Sequence, residues 1–278
     1  MGIEGLITLF GEKPGKTLTV MGGVHGDEPC GVQAVLEVAS QVKLASGKVN
    51  FVIGSPRAVE AKQRQIDMNL NRAFRPAPYM SEAELGSYER ARALELMALL
   101  EESNALLDVH SSMTPESPVF IICEPHSFGL AARLPAEIVS YGWDTIEPGG
   151  TDYYMNRLGG KGVCIECGFH EDPEAPRRAR QAILTFLTYM GVVEGVTPTV
   201  RNGQRRVFAH YLHFTDVDFK RAAEFGDFTP VSKGQLIGHD GGREVKSPSD
   251  GLVIFCRERD EGGKEAFIIG REYGRDEY

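Results

Sequence analysis

Thr17–Glu28 reads TLTVMGGVHGDE, and this stretch decides the fold. Thr17–Met21 is a short apolar run rich in β-branched residues, the pattern of a strand. Gly22-Gly23 lets the backbone turn sharply where it ends. His25 and Glu28 follow at the strand's mouth. There an imidazole and a carboxylate three residues apart can close on one metal ion, supplying two of the three protein ligands of a catalytic zinc. A polar turn with a solvated glutamate is the competing reading, and HxxE alone does not separate the two.

The neighbouring segments extend the pattern. Val32, Val35, Leu36, Val38, Ala39 and Val42 recur at helical spacing, so Gly31–Val42 is predicted as a helix starting near Pro29. Val49–Gly54 is the next strand, and strand–helix–strand predicts a parallel, right-handed crossover. Residues 1–10 read as an edge strand. Ala105–His110, ALLDVH, is a short buried strand on which Asp108 and His110 share a face. His110 sits at a strand end, as His25 does, which makes it the natural third ligand rather than a hydrogen-bonded core histidine. Pro118–Cys123 is another strand, and Phe128–Tyr141 is helical in part. Val163–Gly168, VCIECG, places Cys164 and Glu166 on one face and Ile165 and Cys167 on the other. A carboxylate in such an apolar strand needs a chemical role or an ion-pair partner. The two cysteines point to opposite faces and read as small buried apolar residues. Ser81–Leu100 is predicted as one long helix with Ser81 as N-cap and Glu84 completing a capping box, and no chemistry is assigned to it. Pro176–Met190 is a further helix.

Two polar segments stand out. Pro56–Phe74 carries Arg64, Asp67, Asn69, Asn71 and Arg72 with few apolar residues. It is either a solvated loop or a substrate loop in which the Asn71 amide and the Arg72 fork meet a carboxylate. Asp144–Gly162 reads as a long Gly-rich loop holding Tyr153, Tyr154 and Arg157, of a length that usually serves function.

The chain has 278 residues, 42% hydrophobic and 25% charged, with net charge −9. The acidic balance argues against nucleic-acid and anionic-membrane partners. Met1–Phe10 lacks the basic start and apolar core of a signal peptide, and five cysteines suit reduced thiols in a cytoplasm. A homo-oligomer is compatible with this composition. Thr197–Tyr278 shifts to short alternating strands with many glycines: Gln204–Phe214, Gln235–Ile237, Gly251–Cys256 and Glu265–Ile269, with a helical turn around Phe219–Glu224. Its VSKGQLIG…EVKSPSDGLVI pattern resembles barrel-sandwich domains. Neither Lys233 nor Lys246 stands in a carrier motif.

HGDE, DMNLNRAF, LLDVH and CIECG in this order resemble the succinylglutamate desuccinylase/aspartoacylase family of the zinc carboxypeptidase clan. The resemblance implies an α/β fold with a mixed sheet flanked by helices in a catalytic domain at 1–196. A small all-β domain at 197–278 would cover or shape the site. It further implies one zinc per chain on His25, Glu28 and His110, Glu166 as general base, and Arg64 facing the scissile carbonyl. Asn71, Arg72, Tyr153 and Arg157 would be the substrate contacts. The chain departs from the family at Asn69, where an acidic residue is common, and in DEGGKEAF, which has no tyrosine for the acyl-amino acid. The implied activity is hydrolysis of the amide of an N-acyl amino acid with a free carboxylate. A peptide carboxypeptidase and a non-catalytic zinc-stabilised binding protein are the alternatives.

Overall fold

The computed structural model describes residues 2–195, 199–201 and 203–273, so the expected junction at 196/197 lies outside the described residues. In chain order the strands are β1 (Leu6–Phe10), β2 (Lys13–Gly22), β3 (Ser46–Ile53), β4 (Ala105–Ser112), β5 (Phe120–Cys123), β6 (Ile138–Tyr141), β7 (Lys161–Phe169), β8 (Arg205–Phe214), β9 (Phe219–Arg221), β10 (Thr229–Val231), β11 (Leu236–Asp240), β12 (Arg243–Lys246), β13 (Gly251–Ile254) and β14 (Glu265–Tyr273). The helices are α1 (Pro29–Gln41), α2 (Pro56–Ala61), α3 (Glu82–Leu85), α4 (Tyr88–Glu101), α5 (Phe128–Ala131), α6 (Trp143–Ile146), α7 (Thr151–Arg157) and α8 (Ala175–Met190).

Eleven strands form one mixed sheet in the order β1-β3-β2-β4-β7-β5-β6-β8-β14-β13-β10. β2 and β3 are parallel neighbours joined by α1. β2, β4 and β7 are also parallel, so their carboxyl ends meet at one edge. Ligands bind in the crevice outside such strand ends in open α/β sheets. Period two sorts the side chains. Leu18, Val20, Leu107, Val109, Ile165 and Cys167 pack with α1 and α8 on one face. Met21 and Leu106 turn the other way, onto Leu96 and Leu100 of α4 and Phe74. Each large apolar side chain buried in these layers contributes about 1.5–3 kcal/mol. Asp108, His110, Cys164 and Glu166 alternate with the first set and so project from the α4 side. All five cysteines are buried free thiols.

The sheet does not stop at β6. β6 pairs in parallel with β8, and β8, β14, β13 and β10 continue antiparallel. A second sheet, β12-β11-β9, packs against this extension through Phe219, Ile237, Val253 and Phe267.

Several elements differ from the sequence reading. Ser81–Leu100 is two helices, because Ser87 opens a second N-cap: its Oγ accepts from Arg90 N at 3.0 Å. Pro56–Phe74 contains α2 and a 3-10 turn at Leu70–Arg72. The supposed loop Asp144–Gly162 holds α7 and most of α6. Phe128–Tyr141 ends in strand β6, four residues long and wholly buried. The helical turn near Phe219 is strand β9, held by pairing with β11 and by the full burial of Phe219.

Candidate active site

The mouth of β2 is shaped by glycine. Gly23 has φ +68°, a left-handed conformation that glycine adopts freely. Gly26 lies so close to α2 that a Cβ there would fall 2.0 Å from the carbonyl carbon of Ala58. The HGDE turn is therefore locked against the segment that carries Arg64, and Gly26 N donates to Arg64 O at 3.4 Å. Pro29 starts α1 at once, with Glu28 at the N-cap position but making no side-chain cap. Its carboxylate turns instead toward two imidazoles. His25 Nδ1 lies 2.7 Å from Oε1 and His110 Nδ1 2.8 Å from Oε2, with the rings 5.0 Å apart. Ser111 N also donates to Oε2, at 3.2 Å.

The far nitrogens of both rings have partners. His110 Nε2 meets Asp108 Oδ2 at 3.0 Å, and Thr151 Oγ1 donates to the same oxygen at 2.5 Å. His25 Nε2 meets Asn69 Oδ1 at 3.0 Å. Ligating histidines are typically oriented by such contacts. Burial opposes charge on His110, yet Asp108 and Glu28 outweigh it and hold its pKa well above the usual value. Burial, reinforced by Arg64, lowers His25 to about 4. The donor atoms of His25, Glu28 and His110 lie within 4.8 Å of one another and are buried. Two imidazoles and one carboxylate suit a catalytic zinc with an open position. Asp27, Glu28 and His170 form a second, less buried trio that shares Glu28.

Glu166 lies directly across the β4–β7 ladder from His110. It is 7% exposed, and its Oε2 has no partner. Burial first, then the charge of Glu28, pushes its pKa up to about 8.

A cavity of about 1150 Å³ opens in front of these groups. It is lined by His25, Glu28, Arg64, Asn71, Arg72, His110, Tyr153 and Glu166, but not by Arg157. Arg157 is exposed and lies over the Tyr153 ring. Arg64 Nη1 reaches Glu28 Oε1 at 3.4 Å. Asn71 Nδ2 is 3.5 Å from His110 Nε2, and its Oδ1 accepts from Thr151 N. Arg72 is already engaged. Its Nε and Nη2 form a bidentate pair with Glu265, at 2.5 and 2.8 Å, and Nη2 also pairs with Glu147. Nη1 donates to Asn71 O at 2.8 Å. The expected grip of Arg72 on a substrate carboxylate thus meets a fork occupied by protein carboxylates.

The polar loop is held by α4, to which the sequence assigned no chemistry. The Glu89 carboxylate accepts the backbone N–H groups of Ile66, Asp67 and Met68. Arg90 Nη1 donates to the carbonyls of Ala73 and Arg75. The available signal was the run of charges Glu89, Arg90 and Arg92 at the start of the helix, whose burial the sequence does not show. The sequence reading also missed Arg257 and Glu265, which line the cavity from segments far along the chain, and Asp227, which takes the hydroxyls of Ser112 and Ser117.

A mixed sheet, a donor trio where parallel strands end, and an unpartnered buried carboxyl beside it form a candidate site of the kind that supports metal-assisted hydrolysis. More narrowly, a family model for the succinylglutamate desuccinylase/aspartoacylase catalytic domain matches residues 14–190, and the chain belongs to that family. It is 24% identical over 263 residues to a succinylglutamate desuccinylase of a Shewanella species, covering 84% of this chain and 76% of that one. A probable aspartoacylase of a Nostoc species is 26% identical over 252 residues, covering 79% and 82%. Among solved structures, the succinylglutamate desuccinylase of Vibrio cholerae superposes with TM-score 0.78 at 17% identity, covering 98% of this chain and 88% of that one. The product-bound ectoine utilization protein EutE of Ruegeria pomeroyi gives 0.71 at 20% identity, covering 96% and 88%.

Proposed function

We propose that the protein is a zinc-dependent deacylase that hydrolyses the amide bond of N-acyl amino acids. The observation that carries this reading is the buried His25–Glu28–His110 trio with the unpartnered carboxyl of Glu166 across the ladder. These residues would hold one zinc, with Asp108 and Asn69 orienting the rings. Zinc, when bound, would supply Lewis acidity, which brings the pKa of water down toward ~7. Glu166, whose carboxyl lies unpartnered across the ladder from His110, takes the proton of the attacking water and returns it to the leaving amine. Arg64 stands beside Glu28 and meets the oxyanion as it develops. Asn71 and Tyr153 contact the substrate, Arg157 guards the rim behind Tyr153, and Arg72 orders the wall through Glu147 and Glu265. A small N-acyl amino acid with a free carboxylate is the ligand, and the chain acts in the cytoplasm. Among the described residues no helix is long and apolar enough to cross a membrane.

The test is a panel of N-succinyl, N-acetyl and N-formyl amino acids offered to the zinc-loaded chain, with short peptides alongside and metal content measured in parallel. About one zinc per chain and turnover of at least one N-acyl amino acid are expected. Cleavage of the peptides alone would favour the carboxypeptidase. No turnover of any amide would leave only a zinc-binding protein.

A further inference from the structure

Arg257 follows β13 and lines the cavity near Glu166. Its backbone is fixed: Arg257 N donates to Ala266 O at 2.8 Å. Two residues earlier Phe255 adopts φ +51°, unusual for an aromatic residue, and Asp227 Oδ1 accepts its N–H at 2.8 Å. Sparsely populated backbone conformations persist where the surroundings enforce them, and they cluster at functional sites. The Arg257 guanidinium lies 4.9 Å over the Phe255 ring. Among the described residues it makes no hydrogen bond and no ion pair, and its buried Nε has no acceptor. Asp227 is committed elsewhere, since its Oδ2 takes the hydroxyls of Ser112 and Ser117, and the unpartnered Glu166 makes no hydrogen bond to Arg257. Burial, with Arg64 and Arg259 close by, lowers the Arg257 pKa to about 10. Asp227 and Glu166 also lie close enough to favour its charge, but neither is hydrogen-bonded to it, so a planar fork with five donors faces the cavity without an acceptor.

We propose that Arg257 is the carboxylate-binding residue of this cavity and holds the substrate anion that Arg72, bonded to Glu265 and Glu147, does not. The inference rests on the deacylase reading for the ligand's being a substrate. The chemistry of the ligand, a small carboxylate, comes from Arg257 itself. The carboxylate can belong to the acyl group or to the amino acid, and two probes separate these sources.

Succinate and glutamate are titrated calorimetrically into the zinc-loaded full chain and into its Arg257→Ala and Arg257→Gln variants. Glutamine keeps the aliphatic stem and a polar end while removing the charge and the fork, so a folding failure of the alanine variant leaves the comparison intact. At least one probe should bind the unaltered protein and bind both variants at least ~10-fold more weakly, the loss expected for a hydrogen-bonded charge contact. The probe that responds identifies which half of the substrate carries the carboxylate. The glutamine variant should melt no lower than the unaltered protein, because a cation is removed from beside Arg64 and Arg259; a merely structural arginine would lower it. Equal binding to the glutamine variant, or no binding of either probe to the unaltered protein, overturns the proposal. Weakened binding in the variants, with no amide turned over by the unaltered chain, would uphold Arg257 as an anion site and defeat the deacylase reading.

Discussion

Glu166 shows what a single position in a strand can reveal. The sequence showed a carboxylate in an apolar strand with its side chain on the same face as Cys164, and the structure finds it buried with one oxygen unpartnered. Glu166→Gln keeps the shape and removes proton acceptance. Fold and metal content are expected to survive while turnover falls by at least the ~10²-fold typical of general-base loss, measured with a saturating N-acyl amino acid. Near-normal turnover would make Glu166 a structural residue. That His25, Glu28 and His110 come together was foreshadowed by HxxE at a strand mouth and a strand-end histidine, and the trio itself was implied by the set of motifs that resembles the family. The state of Arg72 was not, because its partners Glu147 and Glu265 lie 75 and 193 positions away along the chain. No spacing rule reaches that far.

At the level of elements, β2, β4 and β7 were legible from short apolar runs, and α1 and α8 as helices. What escaped were elements stabilised by packing more than by propensity. β6 is four residues long, and α7 follows two glycines and lies against β4 and β7. α4 hid its role because Glu89, Arg90 and Arg92 are buried charges that serve neighbouring backbone. The junction between the β2 turn and α2 gives a direct test. Gly26→Ala places a methyl group inside α2, so the two segments must separate. A loss of about 1–3 kcal/mol in denaturant unfolding is expected, the range for overpacking, together with weaker zinc retention because Arg64 and the trio no longer sit together. An unaltered midpoint and unaltered zinc affinity would show that the close approach is dispensable.

For the molecule as a whole, the cavity wall sets a pH limit. Burial raises Asp144 to about 6, and burial together with Asp144 raises Asp152 to about 7. Glu147 is raised by burial, against the pull of Arg72, to about 8. Each folded pKa stands above its unfolded value, so the unfolded chain gives up these protons first. The associated stability is complete below about pH 4 and is lost as pH rises through about 6–8. Calorimetry of the metal-free protein should therefore show Tm falling across that window, and Glu147→Gln should flatten the upper part. A Tm that is level or rising from pH 6 to 9 in the unaltered protein would mean that these carboxyls are ionised in the folded state. The mixed sheet was legible in kind, but its continuation through β6 into β8 was not, since that parallel pairing joins segments more than sixty residues apart. The same pairing has an evolutionary side. A descendant that kept only residues through 195 would retain the metal trio yet bare the whole flank of β6, a row of unpaired N–H and C=O groups that recruits strands from other chains. Gene truncation or domain shuffling at that point would thus yield an aggregating protein, so the C-terminal strands guard solubility as well as walling the site.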